Sequence, residues 1–127
     1  MNEAGLKWYI EQLTFPELLN RNVVRFSRRT AQMWRTGAGT AASINYEQLG
    51  YIVKELASGL IEMGIEKGDR VAVMGHTAPQ WMWADYSILC AAGITVCIYP
   101  TQSEVEMAFI LNNSGSKMVF VHDEEIL

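Results

Sequence analysis

Basic charge is scarce in this sequence. Ten Lys and Arg stand against fourteen Asp and Glu, for a formal net charge of −4 and a pI near 5.1. Binding to nucleic-acid phosphates calls for a basic excess or stripe, so that class of partner is set aside. Long hydrophobic runs are missing too. The longest, Ile88 to Pro100, falls short of the roughly 20 residues a membrane-spanning helix needs and breaks at Gly93 into a helix end and a strand. Cysteine is rare. Cys90 and Cys97 sit in apolar stretches without CxxC or metal-ligand spacing, and are expected to be buried, reduced thiols of a cytoplasmic protein. The N-terminus carries Glu3 and Glu11 and no small-residue cleavage site, which argues against a secretory signal.

Apolar residues are what the chain has in surplus. Half of it is hydrophobic and its mean hydropathy is +0.05. A chain of 127 residues fits one small domain that buries about two-thirds of its unfolded surface. The surplus therefore implies faces meant to be covered by another domain or by a further part of the chain.

Periodicity places the elements. Phe15 to about Arg29 reads as an amphipathic helix with Leu19, Val23 and Phe26 on one face and Arg21, Arg25, Arg28 and Arg29 on the other. A solvated helix face is the plain account of those arginines; attraction to an anionic membrane surface is the alternative. Residues 31–35 and 43–46 read as strands joined across the Gly/Thr-rich turn at 36–42. That turn lacks the Lys of a GxxxxGK[ST] loop, so a hairpin is expected. Asn45 with Gln48 forms a capping box for a helix running to Met63, whose apolar stripe is read as Ile52, Leu56, Leu60 and Met63. Gly59 inside it implies a close backbone neighbour.

Strands then start at 70, 94 and 117, each gap holding one helix (78–92 and 103–112). Thr77 with Gln80 is read as capping the first of these and Ser103 with Glu106 the second. Such spacing predicts parallel strands joined by right-handed crossovers, with helices on both faces. The expected fold is α/β, a three-layer parallel sheet with βαβαβ units, preceded by an N-terminal helix and a short β-hairpin.

The stretch "GDRVAVMGHTAPQW" runs from a strand into a Gly-containing turn before a helix, the place where α/β proteins often hold phosphates. It carries one Gly where a dinucleotide turn reads GxGxxG, and Pro79 removes a donor, so phosphate binding is not expected there. His76, Tyr99 and Thr101 should share the carboxyl edge of the sheet as pocket-wall residues, with a structural role the plainer reading. Asp85, between Trp83 and Tyr86, is read as a helix-face carboxylate, and His122 receives no functional reading.

In order, "INYEQLGYIVKELASGLIEMGIEKGDRVAV", "APQW", "AAGITVCIYPT" and "SEVEMAFILNNSGSKMVFV" resemble the N-terminal part of the AMP-forming acyl-CoA synthetases of the adenylate-forming superfamily, from about Ala31 to Val121. "IYPT" at 98–101 is most similar to long-chain fatty-acid ligases, whereas His76 departs from the Asn usual at its place. The resemblance implies an enzyme that uses ATP, Mg²⁺ and CoA to activate a fatty acid through an acyl-adenylate. The family's phosphate loop ending in Pro-Lys-Gly, its adenine and ribose motifs and its catalytic Lys do not occur in residues 1–127. No catalytic, cofactor-binding or metal-ligating residue is therefore assigned. The chain is expected to be a single α/β subdomain, 1–127, of a larger ligase (1–30 an N-terminal helical segment, 31–127 the synthetase-like region), inactive alone, self-associating, and cytoplasmic or peripheral at a membrane. Its partners would be the remainder of the ligase chain, fatty acid, ATP and CoA. A standalone binding module with this fold is the other reading, and the reading frame after Leu127 separates the two.

Overall fold

The computed structural model describes residues 13–122. Their elements, in order, are α1 (Phe15–Phe26), β1 (Thr30–Arg35), β2 (Ala41–Asn45), α2 (Tyr46–Glu62), β3 (Arg70–Met74), α3 (Pro79–Cys90), β4 (Ile94–Ile98), α4 (Glu104–Ser114) and β5 (Met118–Val121). β1 and β2 pair antiparallel, and β3 lies between β4 and β5, parallel to both. The predicted α/β architecture is the observed one. The segment before residue 13, including the rest of the anticipated N-terminal helical region, lies outside the described residues.

Alternation along β3 splits the core in two. Val71 and Val73 face Ala57 and Leu60 of α2 and Ala84 and Ile88 of α3. Ala72 and Met74 face the other way, onto Ile98 and the α4 residues Met107, Ile110 and Leu111. Successive strand residues point to opposite faces, so an unbroken apolar strand is what a sheet covered on both sides requires. A third cluster lies outside the α2–α3 layer, where Leu19 packs with Leu49 and Val53 and with Trp83 and Tyr86 of α3. The hairpin closes over it. Trp83 Nε1 donates to Gln32 Oε1 at 2.6 Å, and the Trp34 and Trp83 rings meet edge-on at 6.3 Å. Trp83 and Tyr86 are thus covered from within, by α1 and the hairpin.

Capping boxes begin three helices: Thr14 with Glu17, Asn45 with Gln48 and Ser103 with Glu106. The fourth start differs from expectation. Ala78, not Thr77, is the N-cap of α3, and no side chain caps it; Pro79 in the first turn shortens the list of unsatisfied donors instead. The buried stripe of α2 is Leu49, Val53, Ala57 and Leu60: Leu60 is buried as predicted, Val53 and Ala57 stand one position beyond Ile52 and Leu56, and Met63 is 66% exposed. α2 contacts both α1 and α3, which turns its buried face between them. Residue 92 rather than Gly93 takes the left-handed conformation that ends α3, Ala92 at φ 59°. Neither cysteine is buried: Cys90 and Cys97 are both exposed. Cys90 ends a helix at its rim and Cys97 sits on an outer strand, where apolar neighbours in sequence do not guarantee cover.

Candidate ligand-facing edge of the sheet

Open α/β sheets bind ligands at the carboxyl ends of their strands. Here that edge consists of the turn after β3 (Gly75–Ala78), the turn after β4 (Tyr99–Gln102) and His122 after β5. His122 N donates to the Met74 carbonyl at 3.1 Å, tying the end of β5 to the end of β3. Gly75 makes the approach feasible, since a Cβ there would lie 3.0 Å from His122 Cβ. The tie brings the His76 and His122 rings to 5.9 Å, edge to face at 84°. They border a small cavity of about 90 Å³ whose walls include Gln80, Trp81 and Phe120.

A larger cleft of about 350 Å³ opens on the β4 side of Gly75, lined by Thr77, Trp81, Met82, Cys97 and Tyr99 among others. Tyr99 is 70% exposed, and its turn is closed by reciprocal bonds, Tyr99 N to Gln102 Oε1 at 2.9 Å and Gln102 N to Tyr99 O at 3.1 Å. The structure thus brings His76 and Tyr99 to one edge as predicted, with Thr101 exposed in the same turn. It adds His122, which the sequence offered only as the first residue after the last strand. Asp85 lies in the middle of α3 and lines neither cavity.

The chemistry of the edge is limited. A phosphate cradle needs several converging backbone N–H groups. At the start of α3, Pro79 has none and Trp81 N already donates to Ala78 O at 3.1 Å. Among the described residues no three His, Cys, Asp or Glu side chains converge in a way that could hold a metal ion. Though both residues are exposed, partial desolvation by neighbouring side chains raises the Cys90 thiol pKa, and the same effect together with the Asp85 charge raises that of Cys97. What the edge offers is an apolar wall with a few hydrogen-bonding tips.

A family model for AMP-binding enzymes matches residues 19–127. The chain belongs to this family. Among curated relatives, the long-chain-fatty-acid–CoA ligase FadD15 of Mycobacterium bovis is 32% identical over 72 residues, 57% of this chain and 12% of the relative. The long-chain-fatty-acid–CoA ligase heimdall of Drosophila melanogaster is 24% identical over 115 residues, 88% of this chain and 17% of the relative. In fold, the fatty acid AMP ligase of Legionella pneumophila superposes with a TM-score of 0.82 over 94% of this chain and 21% of that one, at 22% identity. The chain therefore spans about a sixth or less of the curated ligases it matches.

Proposed function

We propose that this chain is the N-terminal part of a fatty-acid–CoA ligase. In the proposed reaction a fatty-acid carboxylate oxygen attacks the α-phosphorus of ATP, forming the acyl-adenylate and releasing pyrophosphate. The thiol sulfur of CoA then attacks the acyl carbon, releasing AMP, and the thiol proton passes to solvent. The family match over residues 19–127, together with relatives that are ligases of long-chain fatty acids, carries this reading. Residues 13–122 act as scaffold within it: the carboxyl edge supplies an apolar wall, while ATP, Mg²⁺ and CoA are held by the remainder of the ligase chain. The enzyme works in the cytoplasm with peripheral attachment to a membrane, where its acyl substrates partition. The isolated chain self-associates through faces that the remainder of the ligase would cover.

Exchange of labelled pyrophosphate into ATP, dependent on added fatty acid, tests the assignment. The 127-residue chain should give none, and a chain continued through the rest of its ligase should give exchange. Exchange by the short chain would remove the scaffold role; its absence from the continued chain across long-chain acids would remove the ligase reading.

A further inference from the structure

The chain is acidic, yet its charge is unevenly spread. Residues 18–46 hold five of the ten Lys and Arg residues (Arg21, Arg25, Arg28, Arg29 and Arg35) and none of the fourteen Asp and Glu. In the fold this stretch is most of α1, the turn after it and the β1–β2 hairpin. Leu19 and Val23 pack against α2, so helical spacing carries Arg21 and Arg25 away from that contact, with Val24 beside them and 79% exposed, and Arg28 is exposed in the turn that follows α1. Arg25 and Arg29 both lie over the Phe26 ring, their Cζ atoms 5.4 and 5.5 Å from its centroid. Among the described residues, Arg25, Arg28, Arg29 and Arg35 have no ion-pair partner. On the hairpin, Met33 and Arg35 share the face opposite Gln32 and Trp34, and Met33 is 70% exposed.

Cations near a helix C-terminus complement the macrodipole, and that accounts for arginines at the end of α1. It does not account for Arg35, for the exposed Val24 and Met33, or for a 29-residue stretch without one carboxylate in an acidic protein. We infer that the outer face of α1 and the adjoining hairpin form an adsorption surface for anionic phospholipid. The inference rests on the membrane attachment included in the proposed function and assigns the surface that makes it. Guanidinium groups are drawn to the negative surface potential of such a bilayer within about one Debye length. Val24 and Met33 provide short apolar side chains that enter the headgroup region. A polynucleotide would meet the same arginines but would leave both apolar side chains in water.

Flotation of the 127-residue chain with phosphatidylcholine vesicles, with and without about one-third phosphatidylserine, provides the test. Binding should require phosphatidylserine and fall as salt rises. The double variant Arg28→Gln/Arg35→Gln should bind about 25-fold more weakly, at about fivefold per arginine, with an unchanged melting temperature. Arg28→Lys/Arg35→Lys should restore binding. Val24→Ser should weaken the part of binding that survives high salt. If the parent chain binds vesicles and the Gln variant binds equally well, membrane attachment stands and this surface is wrong. Failure to bind any vesicle removes both. Equal binding to neutral vesicles, or tighter binding to duplex RNA at the same salt, overturns the lipid assignment.

Discussion

A glycine inside a helix costs about 1 kcal/mol relative to Ala, and α2 contains two, Gly50 and Gly59, placed for opposite reasons. A Cβ at Gly50 would lie 2.7 Å from Val23 Cγ2, so Gly50 is where α1 crosses α2. Gly59 has no atom within 4 Å of such a Cβ, contrary to the close neighbour expected there from sequence. Propensity alone treats the two alike; only the crossing point separates them. Gly59→Ala should therefore raise stability by about 0.5–1 kcal/mol. Gly50→Ala gains the same propensity but drives a methyl into a stiff β-branched side chain, and overpacking of about 1–3 kcal/mol outweighs it. Urea midpoints of the two variants should move in opposite directions; movement in the same direction would refute the crossing geometry.

At the level of elements, the "GDR" at 68–70 joins the amino ends of all three strands. Asp69 O accepts from Ile94 N at 2.7 Å, and Arg70 O accepts from Lys117 N at 2.9 Å. The Asp69 side chain accepts from Lys117 Nζ at 2.7 Å and from Glu66 N at 2.8 Å. The Arg70 guanidinium donates to the carbonyls of Ser114 at 2.7 Å and Gly115 at 3.3 Å, closing the end of α4. Arg70→Ala should cost about 1–3 kcal/mol, read as a lower urea midpoint, because charged hydrogen bonds to a part-buried and an exposed carbonyl are lost. The hydrogen bond from Lys117 and then that from the Glu66 amide hold the Asp69 carboxyl below the usual carboxylate range. A folded pKa below the unfolded one gives stability that is present above the unfolded value, near 4, and is lost as pH falls through the folded value. Asp69→Asn should thus flatten part of the acid limb of a stability–pH curve. Lys117 is half exposed, so added salt should shrink the difference. An acid limb identical to that of the parent chain would show that the pair does not couple to folding.

The sheet was legible at this scale because both-face-apolar strands and capping boxes are local signals, and 70–74, 94–98 and 118–121 lie within the anticipated spans. The stripe of α2, the exposure of Cys90 and the pairing of His76 with His122 were not. Each depends on which element lies across from it, which neither periodicity nor spacing encodes.

For the whole molecule, the question is what covers the apolar surface that remains. The Trp83 and Tyr86 side of α3 is packed under α1 and the hairpin. Elsewhere cover is thin. Among the described residues β4 and β5 are the outer strands, each presenting an unpaired edge. Beside β5 runs a groove of about 400 Å³ lined by Leu56, Leu60, Met63, Met118 and Phe120 with little polar surface. On α4, Val105 is 79% and Phe109 66% exposed, one turn apart. An open strand next to an apolar groove is a template for another strand, and monomers seldom leave such patches bare. The isolated chain should therefore associate as concentration rises, most directly by pairing β5 edges so that Met63 and Met118 of two copies meet. Met63→Lys would place a charge in that seam and should weaken association without lowering the melting temperature, since Met63 is already 66% exposed. Light scattering across a concentration series reads both effects. A mass that stays at 14.3 kDa at high concentration would sink the prediction, and association unaffected by Met63→Lys would move the interface away from β5.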